Sequence, residues 1–71
     1  MAHEQVNLNE VLLEFIVQGN YVKVIAVDPI TRIEIAMVGD ARASKETLER
    51  NAINKLKYVI AKQMKKSEEG R

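Results

Sequence analysis

Apolar and polar residues alternate with period two in three short runs, Val11–Gln18, Tyr21–Asp28 and Arg32–Val38. From about Ser44 to Lys66 the period changes, and apolar residues return every three or four positions. The first pattern is that of half-buried strands and the second that of an amphipathic helix. Their order predicts an α+β domain: a three-stranded antiparallel β-meander followed by one long C-terminal α-helix packed on one sheet face (βββα).

The connections predict the register. Gly19-Asn20 suits a two-residue type II′ hairpin with glycine first. That sets Gln18 opposite Tyr21, Val17 opposite Val22, Phe15 opposite Val24 and Leu13 opposite Ala26. Asp28-Pro29-Ile30-Thr31 reads as a type I turn with Asp first and Pro second. Val27 is then expected opposite Arg32, Ala26 opposite Ile33, Val24 opposite Ile35 and Val22 opposite Met37. Opposed residues share a face. Both turns thus collect Val11, Leu13, Phe15, Val17, Val22, Val24, Ala26, Ile33, Ile35 and Met37 on one side, all of them apolar.

The other side collects Glu14, Lys23, Arg32 and Glu34 together with Leu12, Ile16, Tyr21, Ile25, Val27 and Val38. In the expected register Lys23 lies diagonal to Glu14 and Glu34, a cross-strand charge cluster. The large apolar groups around it are too many for a fully solvated face, and such patches tend to be interfaces. For the helix, Ser44 is the expected N-cap, with Glu46 and Glu49 near the positive end of the dipole. Leu48, Ala52, Ile53, Leu56, Val59, Ile60 and Met64 fill one side, with Gln63 among them.

Seventy-one residues suffice for one domain, expected over residues 10–66, with 1–9 and 67–71 as loose tails. A core this small is only marginally stable alone, and disulfides, metals or oligomerisation are the usual remedies. Cysteine is absent and His3 is the lone histidine. A disulfide or thiolate site is therefore excluded, no metal or cofactor is expected, and oligomerisation is the remedy left. A cysteine-free chain is compatible with a reducing cytoplasm. The polar start and short apolar runs predict neither a signal peptide nor a membrane span. Charge is unevenly spread: residues 1–40 carry two Lys/Arg against six Asp/Glu, and residues 41–71 carry nine against four.

Two surfaces are candidates for function. The outer sheet face, with Leu12, Ile16, Tyr21, Lys23, Ile25 and Val27, suits self-association or another protein partner. Its rival reading is a monomer whose N-terminal segment, with Val6 and Leu8, folds over that face. The outer helix face, with Arg50, Lys57, Tyr58, Lys62 and Lys65, joins positive charge to an aromatic ring, which suits nucleic acid. Its rival reading is a solvated face whose lysines complement the helix dipole. Glu14 and Glu34 share a face as paired carboxylates could, but Lys23 between them is the simpler reason for their presence. No Cys–His, Ser–His–Asp or phosphate-loop pattern occurs, and Gly39-Asp40 reads as a turn before the helix. The expectation is a non-enzymatic protein acting by association, with nucleic-acid binding as the alternative and no membrane partner.

The residues Glu10-Val11-Leu12, Glu14-Phe15, Gly19-Asn20, Val22-Lys23-Val24, Ala26, Asp28-Pro29, Thr31 and Val38-Gly39 form one set. Ala43-Ser44, Leu48, Ala52, Lys55-Leu56, Tyr58-Val59 and Ala61-Lys62 form a second. Together the two sets resemble an uncharacterised family of short alphaproteobacterial proteins, a domain of unknown function. The family pattern places Thr-Gly in the second turn, where this chain has Thr31-Arg32. The resemblance implies a stand-alone bacterial cytoplasmic protein and brings no catalytic or binding residues with it.

Overall fold

Gly19 sets the register of the first hairpin. Its φ of 60 is one that glycine adopts without steric cost, while Asn20 keeps a negative φ, as a type II′ turn requires. In the computed structural model, which describes residues 2–8 and 11–69, the chain runs β1 (Ala2–Leu8), β2 (Val11–Gln18), β3 (Tyr21–Val27), β4 (Glu34–Asp40) and α1 (Lys45–Glu69). The sheet is antiparallel in the order β1-β2-β3-β4. The expected α+β class holds, with three meander strands followed by one helix on the sheet. A further strand, β1, precedes them in the stretch expected as a loose end. It pairs with β2, setting Val6 opposite Leu13 and Leu8 opposite Val11. The N-terminal segment therefore extends the sheet instead of crossing its outer face.

The β2–β3 pairing is the expected one, Gln18 with Tyr21 and Leu13 with Ala26. The β3–β4 pairing is not. Ala26 pairs with Ile35, Val24 with Met37 and Val22 with Gly39, a slip of two residues from the expected register. The cause is a longer connection. The Asp28 carboxylate accepts from the Ile30 N–H at 3.0 Å and from the Thr31 hydroxyl at 3.1 Å. The Arg32 N–H donates to the Asp28 carbonyl at 2.7 Å, and the Asp28 N–H donates to the Ile33 carbonyl at 2.9 Å. Arg32 takes φ 65, the left-handed conformation that glycine favours. A slip of two preserves the side to which every residue points, since the side-chain period is two.

For that reason the expected apolar face survives. Leu13, Phe15, Val22, Val24, Ala26 and Ile35 are buried with Leu48, Ala52 and Leu56 of the helix, and Val11, Val17, Ile33 and Met37 pack against them. Gly39 is a strand residue, not the turn residue expected. It pairs with Val22, and a Cβ added there would stand 2.5 Å from Leu48 Cδ2, so glycine lets the helix start close to the sheet. Ser44 caps the helix as expected: the Thr47 N–H donates to its Oγ at 3.1 Å, and the Leu48 N–H to its carbonyl at 3.1 Å.

The helix packs on β3 and β4. Its 25 residues are about 37 Å long, whereas the seven residues of β4 span about 23 Å. The difference shows in burial. Val59 and Ile60 are half-buried, while Ala61, Lys62, Gln63 and Lys65 are all exposed although they point in different directions around the axis. Beyond Ile60 the helix therefore projects past the sheet. Gln63, expected on the covered side, is in the open part.

Candidate functional site

Among the described residues, no element forms a covering layer on either outer surface. On the sheet, the helix occupies one face and β1 lies in the plane of the strands, leaving Leu12, Glu14, Ile16, Tyr21, Lys23, Ile25, Val27, Glu34, Ala36 and Val38 on the other. Leu12, Ile16, Ile25 and Val27 are half-buried. Tyr21 and Val38 are 44% and 66% exposed. The Tyr21 hydroxyl donates to Gln18 Oε1 at 2.6 Å across the hairpin end. All six residues expected to form an association face are therefore brought together on it.

The expected charge cluster is not. Glu14 pairs with Ile25, and Ile25 with Ala36. Lys23 pairs with Val38, and Glu34 with Val27. Glu14 remains diagonal to Lys23, but the two-residue slip carries Glu34 two pairs away from it. Strand spacing and rise put the backbones of Glu14 and Glu34 roughly 12 Å apart. Among the described residues no group of three or more His, Cys, Asp or Glu could hold a metal ion.

The helix presents the second surface. Arg50, Lys57, Tyr58, Lys62 and Lys65 are all exposed, and their spacing places them on one arc of the helix opposite Ala52 and Leu56. The Lys62 ammonium stands 5.9 Å from the centroid of the Tyr58 ring, one turn away. The ring is still 66% exposed. Lys55, on the flank of this arc, donates from Nζ to the Ala36 carbonyl at 3.1 Å and so joins the helix to the open edge of β4.

Sequence reasoning passed over a third feature, at the hairpin end of the sheet. Gly19, Asn20, Asp40, Ala41 and Arg42 line an open depression of about 380 Å³. The Arg42 side chain folds onto Asp40, donating from Nη2 at 2.9 Å and Nε at 3.2 Å, and the Arg42 backbone N–H adds a bond at 2.8 Å. The guanidinium first, and the backbone N–H second, hold the Asp40 carboxyl below its ordinary value of 3.8. Both charged groups are thereby satisfied within the loop. The signal for this clamp was an Asp two residues before an Arg at a strand end.

A family model described as a domain of unknown function, DUF6898, matches residues 8–63. No curated protein matches the chain, and no solved structure matches it. No helix among the described residues is long and apolar enough to cross a membrane.

Proposed function

The chain belongs to this family of unknown function, DUF6898, and from that premise we propose that it is a small, non-enzymatic bacterial cytoplasmic protein acting by self-association through its outer sheet face. One observation carries this reading: Leu12, Ile16, Ile25 and Val27 form an apolar patch that no element among the described residues covers. Two copies related by a two-fold axis would bury it against itself, with Lys23 set against Glu14 or Glu34 of the partner subunit. The four strands present a face of about 440 Å² at ordinary strand spacing and rise. A standard interface buries roughly 800 Å² per partner. The dimer is therefore expected to be weak and to respond to concentration.

Light scattering over a concentration series tests this, with the unaltered chain beside Ile25→Lys. The expected result is a mass that climbs from monomer towards dimer for the former and stays at monomer for the latter. Circular dichroism of Ile25→Lys should keep the folded signature, because Ile25 lies outside the core. A chain that remains monomeric at several hundred micromolar would sink the dimer and leave the face to a different protein partner.

A further inference from the structure

We propose that the outer face of α1 binds single-stranded nucleic acid. From Arg50 to Lys66 the sequence holds six Lys or Arg and not one Asp or Glu. An ordinary solvated helix face intersperses both signs, and opposite charges four residues apart are what usually stabilises it. Lys55, Lys57 and Lys62 have no acidic residue three or four positions away to supply the opposite charge; Glu46 and Glu69, four residues from Arg50 and Lys65, stand at the ends of the stretch. The helix accepts the mutual repulsion along a face that the core does not need.

The geometry adds to the charge. Arg50, Lys57 and Lys65 share one arc of the helix, about 80° wide, at axial steps of about 10 Å and 12 Å. Lys62 lies beside that arc with Tyr58 between, and Asn51 and Asn54 are exposed on the same side of the helix. A row of cations tracks a phosphate backbone, and an open aromatic face stacks on any base. Lys62 steadies the Tyr58 ring from one side at 5.9 Å and leaves most of it free. A single strand can offer its bases to that ring, whereas a duplex keeps them stacked inside. The projecting turns beyond Ile60 let a strand reach Lys62 and Lys65 from several directions. The acidic sheet half faces away from this surface, so the chain's dipolar charge would also orient an approaching polyanion towards the helix.

Fluorescence anisotropy with labelled dT20 and U20 oligonucleotides tests this at 50 mM and 200 mM salt. Four phosphate contacts on a single strand give a salt slope near −3, so binding should weaken about 50-fold between the two conditions. Lys57→Glu/Lys62→Glu should abolish binding at 50 mM, and the milder Lys57→Gln/Lys62→Gln should lower it at least tenfold with an unchanged helical signature. Tyr58→Ala should cost at least fivefold, the low end of one base stack. A 20-base-pair duplex and vesicles containing phosphatidylserine serve as competitors, and the single strand should prevail over both. The proposal is overturned by absence of binding at 50 mM salt, by indifference to the lysine substitutions, or by preference for the duplex or the vesicle.

Discussion

The two faces of the sheet share the same backbone and both carry large apolar side chains, yet they are solved differently. On the helix side Leu13, Val24 and Ala26 have no exposed surface at all. On the outer side their neighbours Leu12, Ile25 and Val27 are only half-buried. Apolar content alone does not make a core. A second layer does, and the described residues supply one helix for two faces. The comparison teaches that the outer face is apolar beyond what folding of a single copy requires, which is why association is the reading it supports.

The adjacent leucines of β2 give the sharpest test of that difference. Leu13→Ala should destabilise the fold by about 3 kcal/mol, as a fully buried leucine does, and in a chain this small that lowers the melting temperature by roughly 15 °C. Leu12→Ala should cost no more than about 1 kcal/mol, and most of that only at concentrations where copies associate. Urea titrations at two protein concentrations check both. Equal losses at high dilution would erase the distinction between the faces.

A smaller effect is expected where the helix meets the sheet. Gly39→Ala puts a methyl group against Leu48, whose side chain must move, at a cost of about 1–2 kcal/mol. A double-mutant cycle with Leu48→Ala should recover part of it, because the shorter side chain frees the space. Additive losses would mean that the close approach is not what makes glycine necessary there. The smallest effect has the opposite sign. Arg32→Gly relieves a left-handed backbone at a non-glycine residue and should stabilise by up to about 1 kcal/mol. Amide exchange on β4 should then slow while the oligomeric state stays the same, since the turn alters neither face.

The same comparison shows what could be read from residues alone. The β2–β3 register was legible because Gly19 admits one tight turn and both strands then agree in pattern. The inner face was legible even where the pairing was not, because the β3–β4 slip of two leaves parity unchanged. The slip itself was hidden in Asp28, whose carboxylate builds a longer loop, and in Arg32, whose side chain gives no hint of a positive φ. β1 was missed for a simpler reason. Ala2–Leu8 has only Val6 and Leu8 as large apolar residues, too few for a period. Its strand conformation comes from the free edge of β2. Of the candidate sites, both surfaces were legible as sets of residues facing one way. The Glu14–Lys23–Glu34 cluster was not, since it depended on cross-strand neighbours, which a two-residue slip changes.

Lys55 gives the sheet a polarity that its strand order does not. The free edge of β4 turns the carbonyls and amides of Glu34, Ala36 and Val38 away from β3, while the Asp40 carbonyl accepts from the Ala43 N–H. At its midpoint the Lys55 ammonium already occupies the Ala36 carbonyl. A strand arriving there would have to evict the protein's own charge before forming its central bond. Stacking of copies edge to edge therefore meets an obstacle on that side.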